Sequence, residues 1–380
     1  MAAEITEARE TTRRWYDISD ILALDATYNL IYGERGNGKT FAVCRLILQA
    51  YFDEGLPSAY VRRLEEMVKQ GNLETLFSDP NHIKYIEERS EGKYNYVKYQ
   101  FHGFYLQKRD PITGALLAKD QQPFCRTYAL STSETTKGAD RGRVKYVFFD
   151  EFITRQFYLT NEIVLFENTL ESIIRKRPGV KIFMVANTVN KHCPYFKHMG
   201  LTNVKKQQQG TIDTYLLGKG NTKIACEYTR ESDAAASEIA EQYYCFNNPQ
   251  VEMIRSGKWE FDLYRLIPKG INQIWPEFRF FIEFDDSITM GSVYIYQDNP
   301  IICFTPKTTP IKDRDEAIIY GEDIASTSPL HQIDLARTPT RAQEVILDLF
   351  KQHKTYFATN DCGESVANWL KYATKGGLKI

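Results

Sequence analysis

The sequence predicts an α/β protein: a parallel sheet with flanking helices, followed by a smaller α+β domain. Three observations carry that reading. The run "GERGNGKT" at Gly33–Thr40 stands between an apolar strand-like stretch and a helical one, and a second apolar stretch, "YVFFDE", ends on two acids. Strand-like and helix-like patterns alternate as far as about residue 200, which indicates parallel strands joined by crossover helices. Beyond that point three short strands follow one another directly, as in an antiparallel meander closed by helices.

At 380 residues the chain is long enough for two domains, because single cores stop growing near about 250–300 residues. The expected divisions are a nucleotide-binding domain over 1–226, a linking subdomain over 227–268 and a last domain over 269–380. Hydrophobic residues at 43% and aromatics at 13% indicate an ordinary globular interior and exclude a disordered chain. A formal net charge of -1 excludes a uniformly basic nucleic-acid coat, so a polyanion must be met by local cationic patches. The cysteines are odd in number with no C-x-x-C pair, so they read as small buried hydrophobes in a reducing compartment. The amino terminus is polar and charged, unlike a signal peptide, and nowhere do about 18 apolar residues run together. A soluble, intracellular protein is expected.

Taken in order, "YNLIYG" (Tyr28–Gly33) predicts a buried strand, and Thr40 to about Phe52 the helix after the loop. "SAYVRRL" (Ser58–Leu64) predicts a short strand ending on paired arginines. From Lys93 to Leu130 the sequence alternates, turns at Asp110–Gly114 and alternates again, predicting a β-meander inserted into the core. "RVKYVFFDEF" (Arg143–Phe152) predicts a strand, Asn161–Lys176 a helix stopped by Pro178-Gly179, and "VKIFMVANT" (Val180–Thr188) another buried strand. "ESDAAASEIAEQYYCFNN" predicts a helical element. Then come the strands "RFFIEFDD", "GSVYIYQD" and "IICFTP", the helix "TRAQEVILDLFKQH", the strand "TYFATN" and the helix "ESVANWLKYA".

The loop carries the first chemistry. G-x-x-x-x-G-K-[ST] is a phosphate-binding pattern whose fixed positions arise by chance in about one chain in a hundred of this length. Gly33, Gly36 and Gly38 let the backbone curl so that N–H groups point inward, and the following helix adds its positive end. The ATP-binding set is therefore Gly33, Glu34, Arg35, Gly36, Asn37, Gly38, Lys39 and Thr40, with Lys39 reaching the β- and γ-phosphates and the Thr40 hydroxyl holding Mg²⁺. Asp150 is placed at the carboxyl end of a strand beside the loop, where a carboxylate holds Mg²⁺, and Glu151 toward the γ-phosphate, where it orients and deprotonates water. Without the loop this pair would read as a solvated strand cap. With it, an acid at the second position favours hydrolysis over transfer to a substrate. A GTPase switch is disfavoured because Asn190-Lys191-His192-Cys193 lacks the base-reading Asp.

The basic residues are read two ways. Arg175–Arg177 either complement a helix C-terminus or supply a finger to a neighbouring subunit's γ-phosphate. Asn187 either caps its strand or senses the γ-phosphate. Lys137 and Arg141, in "STSETTKGADRGR", face phosphate or DNA. Arg62 and Arg63 are either solvated surface or DNA contacts, as Arg141 is, and sparse phosphate contacts without base readout would suit sequence-independent movement along DNA.

With these residues in place, the chain resembles the DNA-packaging ATPases of small tailed phages with protein-primed linear genomes. The resemblance rests on "GERGNGKT", "YVRR", "VFFDEF", the helix ending "RKR", "VANTVN" and "PYF", in that order, and covers roughly residues 15–200. It implies a terminase-like P-loop ATPase of the ASCE class (the class with an additional catalytic acid) and an RNase H-like second domain. It further implies ATP and Mg²⁺ as cofactors and a homo-oligomeric ring, a pentamer in that family. The partners implied are double-stranded DNA, the portal of a procapsid and, in many such phages, a packaging RNA. The place implied is the host cytoplasm, docked transiently at the portal. By position in the pattern Glu151 is the catalytic base, Arg175 the trans-acting finger, Lys137 a second trans-acting cation and Arg35 the extra arginine of terminase-type loops. An active nuclease would need carboxylates converging on two metals. Asp285, Asp286, Asp298 and Asp361 are available, but no acid embedded in the first strand and followed by small residues is found, so a vestigial domain is expected. The rival readings are another DNA-translocating ATPase, a terminase with a working nuclease, and a portal-binding subunit that holds nucleotide without turnover.

Overall fold

The computed structural model describes residues 15–132, 142–155, 157–218, 220–230, 259, 263–322 and 324–374. They fall into two compact units. The first reaches Trp259 apart from residues 155–157, and the second comprises 155–157 and the chain from Glu260 onward.

In the first unit the order is α1 (Ser19–Ala23), β1 (Tyr28–Gly33), α2 (Lys39–Glu54), β2 (Ser58–Arg62), α3 (Gln70–Leu73) and α4 (Pro80–Arg89). Next come β3 (Tyr96–Gln100), β4 (Gly103–Arg109), β5 (Leu116–Lys119), β6 (Cys125–Ala129) and β7 (Tyr146–Asp150). Then follow α5 (Glu162–Ile174), β8 (Lys181–Asn187), α6 (Pro194–His198), β9 (Thr211–Leu217) and β10 (Thr222–Tyr228). They build one sheet in the order β3-β4-β6-β2-β7-β8-β1-β10-β9, with β5 on β4. The strands from β6 through β10 along that path are parallel, and β9, β3 and β4 extend it antiparallel. Both faces are covered: Leu30 and Tyr32 of β1 enter one core with Phe149, Phe166 and Tyr195, while Ile31 enters the other with Val43 and Ile47 of α2. This is why β1, β7 and β8 read as continuous apolar runs rather than alternating ones.

Among the described residues the predicted strands and helices of this core are present, with several differences, of which three bear on the sheet and its cover. The sequence predicts the meander as an insertion, but it is continuous with the main sheet: its last strand, β6, pairs antiparallel with β4 on one side and parallel with β2 on the other. The hairpin β9–β10 has no counterpart in the sequence reading, yet β10 pairs with β1 from Tyr28↔Ile224 to Tyr32↔Tyr228. Nor has α4, which buries little beyond His82 and Ile86; its Asp79 cap, accepting from Asn81 N–H, and Pro80 start it. The helix expected after residue 230 and the segment carrying Lys137 and Arg141 lie outside the described residues. So do most of 227–268; Tyr228 and Trp259, however, pack against Tyr32 in the core of the first unit. Among the described residues six cysteines are free and buried, and no helix is long and apolar enough to cross a membrane.

The second unit holds β11 (Phe278–Phe284), β12 (Ser287–Tyr296), β13 (Asn299–Lys307), β14 (Ile318–Gly321), β15 (His331–Gln332), α7 (Arg341–Lys351), β16 (Thr355–Phe357) and α8 (Asn360–Ala373). The expected meander β11–β13 is extended by three parallel pairings, giving the order β15-β14-β11-β12-β13-β16. Ile346, Leu349 and Phe350 of α7 and Val366 and Trp369 of α8 cover one sheet face. The first strand does carry one acid, Glu283 in β11, opposite Gly321 of β14, but not in the nuclease pattern. A bulky Phe284 follows it, and both oxygens of its carboxylate are taken by the Arg314 guanidinium at 2.5 Å. Among the described residues no three His, Cys, Asp or Glu side chains are grouped to hold a metal.

Candidate nucleotide site

The loop between β1 and α2 is shaped by close packing. A Cβ on Gly33 would lie 2.0 Å from the Thr229 hydroxyl oxygen, just past β10, so the neighbouring strand leaves room for hydrogen alone. Gly36 and Gly38 take left-handed φ values of 82° and 97°, and Gly38 caps α2. Gly33→Ala should therefore destabilise by about 1–3 kcal/mol through forced displacement, read as a lower denaturation midpoint together with weakened binding of a fluorescent ATP analogue.

Asn37 organises the loop. Its side-chain N–H donates to the Thr229 hydroxyl at 2.9 Å, and its Oδ1 accepts from Lys39 Nζ at 3.1 Å. Lys39 Nζ also donates to the Glu34 carbonyl and, at 3.4 Å, to Asn187 Oδ1. Burial lowers the Lys39 pKa to about 8 against the opposing pull of Glu34 and Asp150. Asn187 thus does more than cap β8. It faces Gly33 across the β1–β8 register and touches the loop lysine. Thr40 is half-buried in the first turn of α2, Glu34 half-buried and Arg35 exposed. A strap with no signature in the sequence crosses the loop: Tyr16 N–H donates to the Asn37 carbonyl at 2.9 Å, and its hydroxyl to the half-buried Glu227 at 2.7 Å. Burial pushes the Glu227 carboxyl up to about 7.

Asp150 ends β7, which is not beside β1: β8 lies between them. The Asp150 carboxylate accepts from the Tyr60 hydroxyl at 2.9 Å and from Arg62 at 3.2 Å. Burial raises its pKa, opposed by Arg62 and Tyr60. Glu151 follows with a left-handed φ of 59°, and its carboxylate accepts from the other Arg62 nitrogen at 2.6 Å. Burial pulls the Arg62 guanidinium down, but Tyr60, Asp150 and Glu151 outweigh it and hold its pKa above the usual value. Two of the three arginines expected to meet DNA are therefore engaged elsewhere, the third, Arg141, lying outside the described residues. Arg62 bridges the two acids of the site. Arg63, only 4% exposed, is clamped by both Glu162 oxygens at 3.0 and 2.8 Å and by the carbonyls of Glu151 and Phe152, leaving nothing for a phosphate backbone.

Arg175 caps α5 with a left-handed φ of 47°. It lines an open cleft of about 540 Å³ with Asn168, Glu171, Ser172 and Lys176. Because α5 returns the chain from the carboxyl end of β7 to the amino end of β8, Arg175 stands at the edge of the sheet opposite its own loop.

The donor set fits a nucleotide triphosphate and a divalent cation. Lys39 is a desolvated cation whose hydrogen-bond partners are neutral acceptors, Gly36 and Gly38 hold the left-handed backbone of a phosphate-binding loop, and Asp150 and the Thr40 hydroxyl are oxygen ligands suited to Mg²⁺.

A family model for the podovirus DNA encapsidation protein (Gp16) matches residues 12–213, more than half of the chain. The chain belongs to that family. The match spans the loop, Arg62, the Asp150–Glu151 pair, Arg175 and Asn187. The DNA packaging protein of Bacillus phage B103 is 26% identical over 193 residues, 48% of this chain and 50% of the relative. That of Bacillus phage phi29 is 24% identical over 212 residues, 53% and 55% of the two chains. The chain thus spans about half the length of the curated relatives it matches. Among solved structures, the Phi-28 gp11 DNA packaging motor superposes with a TM-score of 0.52 at 16% identity, covering 95% of this chain and 98% of that one. The bacteriophage Phi-29 genome packaging motor assembly gives 0.53 at 16% identity, covering 92% and 96%. These likenesses establish a shared fold over nearly the full length, a largely parallel α/β sheet with a smaller α+β unit.

Proposed function

We infer that this chain is the ATPase subunit of a ring-shaped motor that drives double-stranded viral DNA into a procapsid. The observation that carries the reading is the convergence, in a member of the DNA encapsidation family, of Lys39, Asn187, Asp150 and Glu151 at the carboxyl ends of β1, β8 and β7. Lys39 and the loop backbone bind the β- and γ-phosphates, and Thr40 and Asp150 hold Mg²⁺. Bound MgATP supplies a phosphoanhydride whose leaving charge the metal neutralises. Glu151, once released from Arg62, orients water and accepts its proton. Asn187 positions the reacting end. Arg175, remote from its own loop, serves the site of the next subunit, and Lys137 is by resemblance a second trans-acting cation. The assembly is a homo-oligomer, a pentamer by resemblance, docked at the portal in the host cytoplasm with or without a packaging RNA. The second unit is a binding module rather than a nuclease: the acid embedded in its first strand is held by Arg314, which competes with metal for the same oxygens.

ATP hydrolysis at high protein concentration, with and without linear double-stranded DNA, tests this. Stimulation by DNA, its loss in Glu151→Gln and in Arg175→Ala, and its partial return when the two variants are mixed are expected, because mixed rings contain intact shared sites. Slow turnover indifferent to DNA and to Arg175 would overturn the reading.

A further inference from the structure

With Arg62 and Arg63 committed inside the first unit, the DNA-contacting surface must be sought elsewhere. The segment from Lys93 to Arg126 carries six lysines and arginines against two aspartates in a chain of net charge -1. Asp110 caps its own turn, and Asp120 accepts from the Tyr51 hydroxyl at 2.6 Å. Strand alternation sorts the rest. Val97, Tyr99, Phe104 and Leu106 face the core, while Tyr96, Lys98, Tyr105, Gln107 and Arg109 share the opposite face with Lys119 of β5, which is directly across from Gln107. The Arg109 guanidinium lies over the Tyr96 ring at 4.1 Å and donates to Gln107 Oε1 at 3.2 Å; Lys119 Nζ lies over the Tyr105 ring at 4.3 Å. Lys98 is paired with Glu74 at 2.8 Å.

We propose that this face of β3–β5, through Arg109 and Lys119, is a contact surface for the phosphate backbone of double-stranded DNA. It rests on the packaging reading and names the surface that reading needs. The tyrosines act as seats. Each holds a long cationic side chain over its ring, reducing the rotamer entropy lost on meeting a phosphate. Because the rings are already occupied by cations, stacking of unpaired bases, the mode of single-strand binders, is the less suited partner. The two seated cations carry no base-edge readout, as movement along any sequence requires.

The test is binding of a fluorescent 30-bp duplex (chosen length) by the full chain, followed by anisotropy from about 50 to 200 mM salt, beside an unpaired oligonucleotide. Arg109→Gln with Lys119→Gln should flatten the log–log salt slope by about 1.8, or roughly tenfold less affinity change across that range. DNA-free ATP turnover and the melting temperature should stay at wild-type values. Lys119→Gln alone, at an exposed position of β5, should give about half the change in slope and covers the case in which the double variant misfolds. Arg109→Lys with Lys119→Arg should restore binding. An unchanged slope in folded variants overturns the proposal and leaves the packaging reading standing. Preferential loss of single-strand binding also overturns it, in favour of a stacking platform. If the wild-type chain itself ignores duplex DNA, the packaging reading fails first.

Discussion

Replacing Arg63 with Ala should destabilise the first unit by about 3–5 kcal/mol, the scale for breaking a buried ion pair from one side. Arg63 and Glu162 are 4% and 3% exposed. Glu162 accepts two bonds from Arg63, one from the Tyr195 hydroxyl at 2.9 Å and one from Leu159 N–H at 2.7 Å. The pair ties the end of β2 to the start of α5 and to α6, and removing the cation leaves a carboxylate among Phe149, Phe166 and Tyr195 with only neutral donors. Urea denaturation should show the loss as a lower midpoint at unchanged slope. Arg63→Ala combined with Glu162→Gln should recover part of it, since the stranded charge is gone. Recovery of nothing would mean that the bonds from Arg63 to the Glu151 and Phe152 carbonyls, not the ion pair, hold the region. Because one of those carbonyls belongs to Glu151, ATP turnover should fall with stability in the single variant.

The neighbours Arg62 and Arg63 show where the sequence is legible and where it stops. Apolar runs predict β1, β7 and β8 because both faces of a parallel sheet are buried, and the phosphate loop is legible because its glycines are required by backbone shape. Adjacent arginines at a strand end carry no such signature. Alternation sends them to opposite sides, one to Asp150 and Glu151 and the other to Glu162, and each acceptor arrives from a segment far along the chain. Pairing direction is equally silent: β6 looks like the last strand of a meander until β2 is found parallel beside it. The Thr229 hydroxyl that forces glycine at 33 and the Tyr16 strap over Asn37 depend on long-range closure and leave no local pattern. Glu283 escapes the sequence pattern because that pattern demands small residues after the acid, and Phe284 follows.

Glu151→Gln should lower ATP turnover by about 10²–10⁴-fold, the range for losing a positioned general base, while binding of a fluorescent ATP analogue stays within a few-fold of wild type. The substitution is informative because of Arg62. The introduced amide would retain an oxygen able to accept from the Arg62 nitrogen now 2.6 Å from Glu151 Oε2, so the bridge to Asp150 and the fold around it need not change. What disappears is the capacity to take a proton. Glu151→Ala removes both, freeing one side of Arg62 while Asp150 keeps the other at 3.2 Å. Similar turnover in the Gln and Ala variants, with similar melting temperatures, places the whole effect on proton acceptance. A further large loss of nucleotide affinity confined to Glu151→Ala would mean that the freed Arg62 shifts onto Asp150 and competes there with the metal, so that the Arg62–Glu151 pair governs when the site can take up nucleotide as well as when it can react. Substantial turnover retained by the Gln variant would exclude Glu151 as the base and leave water to be oriented from the Asn187 side alone.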